Sequence, residues 1–70
     1  MRVTVDVKGD AVHEIDLAEL PAAEPSYADL LAELELSPHE VSVLVDGRPV
    51  PEDQPVDAEE VTVLRLITGG

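Results

Sequence analysis

The first residues alternate between apolar and polar side chains. A period of two residues is typical of a strand with one buried face. The apolar members are Val3, Val5 and Val7. Gly9-Asp10 follows with turn chemistry, and apolar residues resume over 12–17. We predict a β-hairpin, and because Val12 and Ile15 do not share one face, its second strand requires a bulge or a shifted register.

A helical pattern follows a connector over residues 18–25 that contains two prolines. Ser26 is a good N-cap, and Asp29, three residues further on, approximates a capping box. The apolar face at helical spacing consists of Tyr27, Leu30, Leu31 and Leu34. We predict a helix of about ten residues, roughly 15 Å long. It should end at Ser37-Pro38, because proline disfavours helical geometry in the residue before it.

The second half of the chain returns to the pattern of strands. Residues 41–45 alternate, and Asp46-Gly47 then forms a strong hairpin signal, because a type I′ turn needs positive φ at both central residues. Pro49 cannot donate to a β-ladder, so the short returning strand should lie at an edge. An acidic loop over residues 51–60 leads to a final apolar strand that begins at Val61.

One helix with these strands predicts a single two-layer α+β domain. The most compact arrangement places the last strand parallel to the first, in the middle of a mixed four- to five-stranded sheet, with the helix packed across it. The predicted core consists of Val3, Val5, Val7, Leu30, Leu31, Leu34, Val43, Val45, Val61 and Val63.

Charge narrows the possible partners. The chain of 70 residues carries a formal net charge of −12, from 16 acidic and four basic residues. Such a surface repels nucleic-acid phosphates, so we expect no direct nucleic-acid binding. The acidic surface, a core without Phe or Trp, and a single lysine together suggest adaptation to high intracellular salt. We expect the fold to gain stability as KCl screens the carboxylates.

Several other classes of function find no support in the sequence. There is no cysteine, and no apolar run approaches the roughly 18 residues of a membrane span. His13 and His39 lack ligand-like spacing, and the acidic loop lacks the regular spacing and central glycine of a calcium loop. No catalytic set of side chains is recognisable. We expect a soluble, cytoplasmic, monomeric protein with no bound metal or cofactor, and not an enzyme.

The chain ends in two glycines, Gly69 and Gly70, directly after the last strand. Glycine neither packs nor holds extended geometry well, so we predict a domain over residues 1–66 and a flexible tail over residues 67–70. A frayed terminus is the plain interpretation of this tail. The alternative is that it presents a free carboxylate on a thin stem.

The element order with a terminal diglycine resembles the ubiquitin-like β-grasp family. Residues 63–66 followed by Gly69-Gly70 are similar to the tail of ubiquitin. The stretch 36–54 (LSPHEVSVLVDGRPVPEDQ), with residues 63–67 (VLRLI), closely resembles the small archaeal modifier proteins of haloarchaea, in particular the branch linked to tRNA thiolation. The resemblance covers the whole chain and is weakest over residues 12–25.

This resemblance implies a protein modifier and sulfur carrier. In such proteins a ubiquitin-activating-type enzyme uses ATP in trans to adenylate the C-terminal carboxylate, here that of Gly70. The acyl group then passes to a lysine of a target protein, or becomes a thiocarboxylate for sulfur-transfer and tRNA-thiolation enzymes. Sulfur supply for molybdopterin synthesis and a non-covalent β-grasp interaction module are the alternatives.

Two further features are candidates for function. Lys8 is the only side-chain amine, so it is a possible acceptor for self-modification, although related sequences carry lysine where this chain has Thr62 or Thr68. Leu44 and Leu64 fall on the outward phase of their strands and, with nearby Leu66, predict an apolar partner-recognition surface. Arg65 and Arg48 are expected to flank that surface.

Overall fold

The computed structural model describes residues 1–66. Within them lie five strands and one α-helix: β1 (Arg2–Val7), β2 (Val12–Asp16), α1 (Tyr27–Glu33), β3 (Val41–Val45), β4 (Arg48–Pro49) and β5 (Glu60–Arg65). They form a single sheet in the order β2-β1-β5-β3-β4. β5 is parallel to β1 and antiparallel to β3. The predicted α+β class and the central position of the last strand are both confirmed.

The two hairpins differ in how well their sequences predict them. Asp46 and Gly47 both have positive φ, at 54° and 78°, as the type I′ turn requires, and the short β4 lies at the edge. In the first hairpin the register is regular, so the expected bulge or shift in β2 is wrong. Val12 and Ile15 lie on opposite faces of the regular strand: Ile15 is buried, and Val12 is 62% exposed on the other face.

The core lies between the sheet and α1. The valines of β1 and β5 are buried together with Leu30 and Leu31, as predicted. Leu34 and Val45 are only half-buried, because they lie at the ends of their elements and pack against the margin of the core. The prediction omitted four hydrophobic residues of the buried core: Ile15, Leu20, Tyr27 and Val41. Leu20 comes from the connector, which folds back after a 3₁₀ turn at Leu17–Glu19.

The first turn of α1 is satisfied on all sides. Ser26 and Asp29 form the predicted capping box, in which the Ser26 hydroxyl accepts from the Asp29 amide at 3.3 Å and the Asp29 carboxylate accepts from the Ser26 amide at 2.9 Å. The amides of Tyr27 and Ala28 donate to carbonyls of the acidic loop, at residues 54 and 52. The loop is therefore hydrogen-bonded to the helix start rather than merely solvated.

Tyr27 links the same loop to the core. Its ring is fully buried, and its hydroxyl lies 3.5 Å from a carboxylate oxygen of Asp57. Burial raises the pKa of the Tyr27 hydroxyl above its ordinary value, and the negative charge of Asp57 raises it further. Deprotonation of this ring is therefore unfavourable in the folded protein.

The end of α1 departs from the prediction. The helix stops at Glu33 rather than near Pro38, because Glu35 takes a left-handed conformation with φ 59°. The Leu36 amide then donates to the Leu31 carbonyl at 2.8 Å, and the Glu35 amide donates to the Ala32 carbonyl at 3.0 Å. This is a Schellman closure, and it directs Leu36 back toward the core.

Candidate functional site

The last strand passes from the core to the surface within a few residues. Val61 and Val63 are buried, whereas Leu64 is 37% exposed and Leu66 is 62% exposed. The Leu66 amide still donates to the carbonyl of Glu40, at 2.8 Å, so the backbone is held beside the start of β3 up to this point. The predicted conjugation residues, Gly69 and Gly70, lie outside the described residues.

The face of the sheet turned away from α1 is called the outer face here. Val43 lies opposite Val63, and both are buried beneath the helix. Side chains alternate along a strand, and opposite residues of an antiparallel pair share a face. The neighbouring pairs, Ser42 with Leu64 and Leu44 with Thr62, therefore lie on the outer face.

Leu44 and Leu64 are diagonal neighbours on that face. Diagonal positions of an antiparallel pair are roughly 7–8 Å apart, within reach of two leucine side chains. By the same alternation Leu66, just beyond β5, falls in the outer phase. Leu44, Leu64 and Leu66 form what we call the outer-face patch.

Arg65 and Arg48 do not belong to the outer-face patch. Arg65 lies opposite Val41, and Arg48 lies opposite Val45, so both arginines have the phase of the helix side. Both are exposed, because they lie beyond the area that α1 covers. The structure thus brings the leucines of the predicted recognition surface together and places Arg65 on the opposite side of the same strand.

Lys8 lies just past β1, beside the outer-face patch. Its amide donates to the Val63 carbonyl at 3.0 Å. Val7 is paired with Val63 in the parallel register of β1 and β5, so Lys8, one residue further on, lies beside Leu64. The Lys8 ammonium is exposed and pairs with the Asp6 carboxylate at 2.8 Å. Such an exposed pair is weak, so the amine remains available to a reagent.

Two apolar residues of the outer face, Val12 and Pro49, were not among the predicted site residues. Val12, Asp6, Thr62, Leu44 and Pro49 occupy one cross-strand row, so Val12 and Pro49 place apolar groups at its two ends. The signal in the sequence was parity: if Ile15 is buried in a regular strand, Val12 must face outward. Between these ends the row is broken by the charge of Asp6.

Residues 1–66 hold no group of three or more side chains arranged to bind a metal ion. Across the same range no charged side chain is buried. His13 is half-buried on the helix side of β2, and His39 is exposed between α1 and β3. No helix of this part of the chain is both long and apolar enough to cross a membrane.

Comparison with known proteins identifies the family. The family model described as small archaeal modifier protein 2 matches residues 1–67. The small archaeal modifier protein 2 of Haloferax volcanii is 54% identical over all 70 residues, covering both chains completely. An uncharacterised protein of Archaeoglobus fulgidus is 41% identical over 44 residues, 63% of this chain and 66% of its own length.

A solved structure agrees with this relationship. The crystal structure of the H. volcanii small archaeal modifier protein 2 superposes with a TM-score of 0.69, at 53% sequence identity over 97% of each chain. The sheet order and the single helix are therefore those of a ubiquitin-like β-grasp fold, as the resemblance implied. With the family model and a full-length relative in agreement, the chain belongs to the small archaeal modifier protein 2 family, whose members are ubiquitin-like modifiers and not an enzyme family.

Proposed function

We propose that this protein is a covalent modifier and sulfur carrier whose own C-terminal carboxylate, on Gly70, is the reactive group. The observation that carries the proposal is a terminal Gly69-Gly70 in a member of a modifier family that matches its H. volcanii relative over all 70 residues. The position of β5 supports it, because the strand runs from the middle of the sheet to the surface immediately before the tail.

The chemistry begins with activation in trans. A carboxylate is a poor acyl donor until one of its oxygens is made into a good leaving group. An activating enzyme of the ubiquitin type joins the Gly70 carboxylate to the α-phosphate of ATP, forming an acyl adenylate and releasing pyrophosphate. The energy of ATP is thereby stored in a mixed anhydride at the end of the tail.

Two fates of the adenylate are then open. The amine of a target lysine attacks the acyl carbon, loses a proton and displaces AMP, which leaves an isopeptide bond. Alternatively, hydrosulfide attacks the acyl carbon, loses its proton and displaces AMP, and the resulting thiocarboxylate delivers sulfur to tRNA-thiolation enzymes. Delivery to molybdopterin synthesis is the alternative destination, and it uses the same thiocarboxylate. ATP dependence places these reactions in the cytoplasm.

Glycine suits the two last positions for a steric reason. An active site that encloses a tail must admit the backbone through a narrow channel, and glycine has no side chain to obstruct it. Gly70→Ala should abolish adenylation while leaving the fold over residues 1–66 unchanged. Gly9→Ala is a poor control because Gly9 has φ of 82°, so Val12→Ala, at an exposed residue of β2 outside the outer-face patch, is the control.

The outer-face patch is the proposed docking surface for the activating enzyme. It combines exposed leucine with a position directly upstream of the tail in the sequence, so an enzyme that binds Leu64 and Leu66 brings the Gly70 carboxylate within reach of its nucleotide. The arginines of the helix side, Arg65 at the end of β5 and Arg48 on β4, are proposed as secondary contacts for an enzyme that also reaches the helix side of the sheet.

Lys8 is the proposed acceptor if the modifier is joined to itself. The ammonium is exposed, and no other lysine exists in the chain. Peptide mapping of purified conjugates tests this assignment through a diglycine remnant on Lys8. Lys8→Arg keeps the positive charge beside Asp6 and should remove that remnant. Conjugates of this chain with itself that persist in Lys8→Arg would contradict the assignment.

One experiment separates the covalent proposal from a non-covalent interaction module. The purified chain is incubated with ATP, the cognate activating enzyme and a sulfide source, and its intact mass is measured. The proposal expects a gain equal to the difference between sulfur and oxygen, absent without ATP and absent in Gly70→Ala. An unchanged mass, together with no conjugate to any lysine, would favour the non-covalent module.

A further inference from the structure

The second strand presents an open edge. β2 pairs with β1 on one side, and within residues 1–66 no strand pairs with its other side. The amide of Val7 donates to the carbonyl of Ala11, and the amide of Leu17 donates to the carbonyl of Met1. Because hydrogen-bonded positions alternate in an antiparallel pair, the odd-numbered residues of β2 are the ones bonded to β1.

The even-numbered residues of β2 therefore point their main-chain groups away from the sheet. Val12, Glu14 and Asp16 each direct an amide and a carbonyl toward the open edge. The opposite edge of the sheet is different, because β4 has two residues and one of them is Pro49, which has no amide hydrogen. The β2 edge is thus the one that can receive a further strand.

A groove accompanies this edge. A cavity of about 260 Å³ lies between β2, the 3₁₀ turn and the end of α1. Its apolar lining comes from Ile15, Leu20 and Leu34. Side chains of an added strand alternate, so every second one would enter the groove while the main chain bonds the edge.

The rim of the groove is strongly acidic. Its lining includes four acidic residues, Glu14, Asp16, Glu19 and Glu33, and no lysine or arginine. Glu14 pairs with Arg2 at 3.9 Å and Asp16 with the N-terminal ammonium at 3.8 Å, both on the outer face, so Glu19 and Glu33 give the groove its negative charge. A strand that enters this groove is favoured if positive charges flank its apolar centre.

We propose that the β2 edge and its groove bind an extended peptide segment of a partner protein, with alternating aliphatic residues at its centre and lysine or arginine on both flanks. A second copy of this chain is the competing occupant. Pairing two β2 edges would bring two acidic grooves together on chains of net charge −12, which repels the copies. The site is separate from the outer-face patch, because β1 lies between β2 and β5.

The test uses a short synthetic peptide with a valine and isoleucine centre and a pair of lysines at each end. It is titrated into the full chain without ATP or activating enzyme, and amide chemical shifts are followed. Saturable shifts centred on Val12, Glu14 and Asp16 are expected. Shifts centred on Leu44 and Leu64, no saturable shift, or a dimer in sedimentation that forms through β2 without peptide would each overturn the proposal.

Two substitutions of Glu14 distinguish the contribution of its main-chain amide from that of its side-chain charge. Glu14→Pro removes an outward amide that takes no part in the β1 ladder, so the fold tolerates it and binding falls by about tenfold. Glu14→Ala keeps that amide and should lower binding less than Glu14→Pro does. Equal effects of the two variants, at unchanged stability, would overturn the strand-addition geometry.

The flanking charges have their own control. Glu19→Gln and Glu33→Gln should each weaken binding of the lysine-flanked peptide by about two- to fivefold at low KCl. Asp46→Asn removes one negative charge at the turn between β3 and β4, at the opposite edge of the sheet, and should leave binding unchanged. A peptide with glutamates in place of the lysines should bind more weakly than the original. If it binds equally well, charge does not select the partner.

Discussion

Val63 and Leu64 are neighbours in β5, and they lie on opposite faces of the sheet. Val63 is fully buried beneath α1, whereas Leu64 is 37% exposed on the outer face. On the helix side the residues opposite and beside Val63 are also valines, Val43 and Val7. On the outer face Leu64 is opposite Ser42 and close to Lys8. A step of one residue therefore separates a position that stabilises the fold from one that is available to a partner.

The largest effect is expected on the buried side. Val63→Ala leaves a cavity and should lower the free energy of unfolding by about 2–3 kcal/mol, a large share of the stability of so small a domain. Urea denaturation at fixed KCl measures the loss. Leu64→Ala is the matched control and should stay within about 0.5 kcal/mol of the original chain. Equal losses in the two variants would break the distinction between the faces.

The next effect is expected on the exposed side. Leu64→Ala should lower the rate of adenylation at limiting activating enzyme by about tenfold, because it truncates the centre of the proposed docking surface. Pyrophosphate release measures that rate. Val12→Ala is the control, since Val12 is an exposed aliphatic residue of the outer face on β2, which β1 separates from β5. If both variants react at the original rate, the outer-face patch is not the docking surface.

The helix that covers the inner face can be weakened by itself. Ser26→Ala removes the capping box and should cost about 1 kcal/mol of stability, which urea denaturation measures. Ser42→Ala truncates a serine on the outer face and should cost less. The adenylation rate of folded Ser26→Ala should equal that of the original chain. A slower rate at full folding would mean that α1 contributes to more than stability.

Salt should act through the surface rather than the core. Raising KCl from about 0.1 M to about 1 M shortens the screening length from about 10 Å to about 3 Å and weakens repulsion among the carboxylates. The urea midpoint should therefore rise with KCl. In Val63→Ala it should rise by a similar amount from a lower starting value. A midpoint independent of KCl would contradict the proposed adaptation to salt.

The smallest effect concerns pH. The pKa of Tyr27 is raised in the folded protein, so above its ordinary value of 10.0 the unfolded chain loses the phenolic proton while the folded chain keeps it. Below pH 10.0 the neutral phenol makes its full contribution to the free energy of unfolding, and this contribution is lost as the pH rises through the pKa of the folded state. Tyr27→Phe should remove this part of the alkaline decline. Identical pH profiles above 10 would contradict the assignment.

Much of the fold could be predicted from local chemistry. The Asp46-Gly47 turn followed from the demand for positive φ at two successive residues, and the capping box followed from Ser26 and Asp29. The end of α1 did not follow, because Glu35 adopts a left-handed conformation that its residue type does not signal. The hydrogen bond from the Leu36 amide to the Leu31 carbonyl and the packing of Leu36 against the core outweigh the preference of Glu35 for a right-handed conformation.

The site was predicted in part. Alternation placed Leu44 and Leu64 on one face, and the register confirms that placement. The same alternation applied to Arg65 would have placed it on the helix side, since it shares the phase of Val63. The groove beside β2 was not predictable, because it depends on how the connector folds Leu20 back toward Leu34. No pattern within β2 alone contains that information.

The central place of β5 has a mechanical consequence. A force that pulls the chain from its C-terminal side acts along β5, which is hydrogen-bonded on both sides, to β1 and to β3. Hydrogen bonds that lie across the direction of pull are strained together and must break together, whereas a strand at the edge can be peeled away one bond at a time. An enzyme that unfolds a conjugate by pulling this protein from its C-terminal side would therefore have to break these hydrogen bonds together.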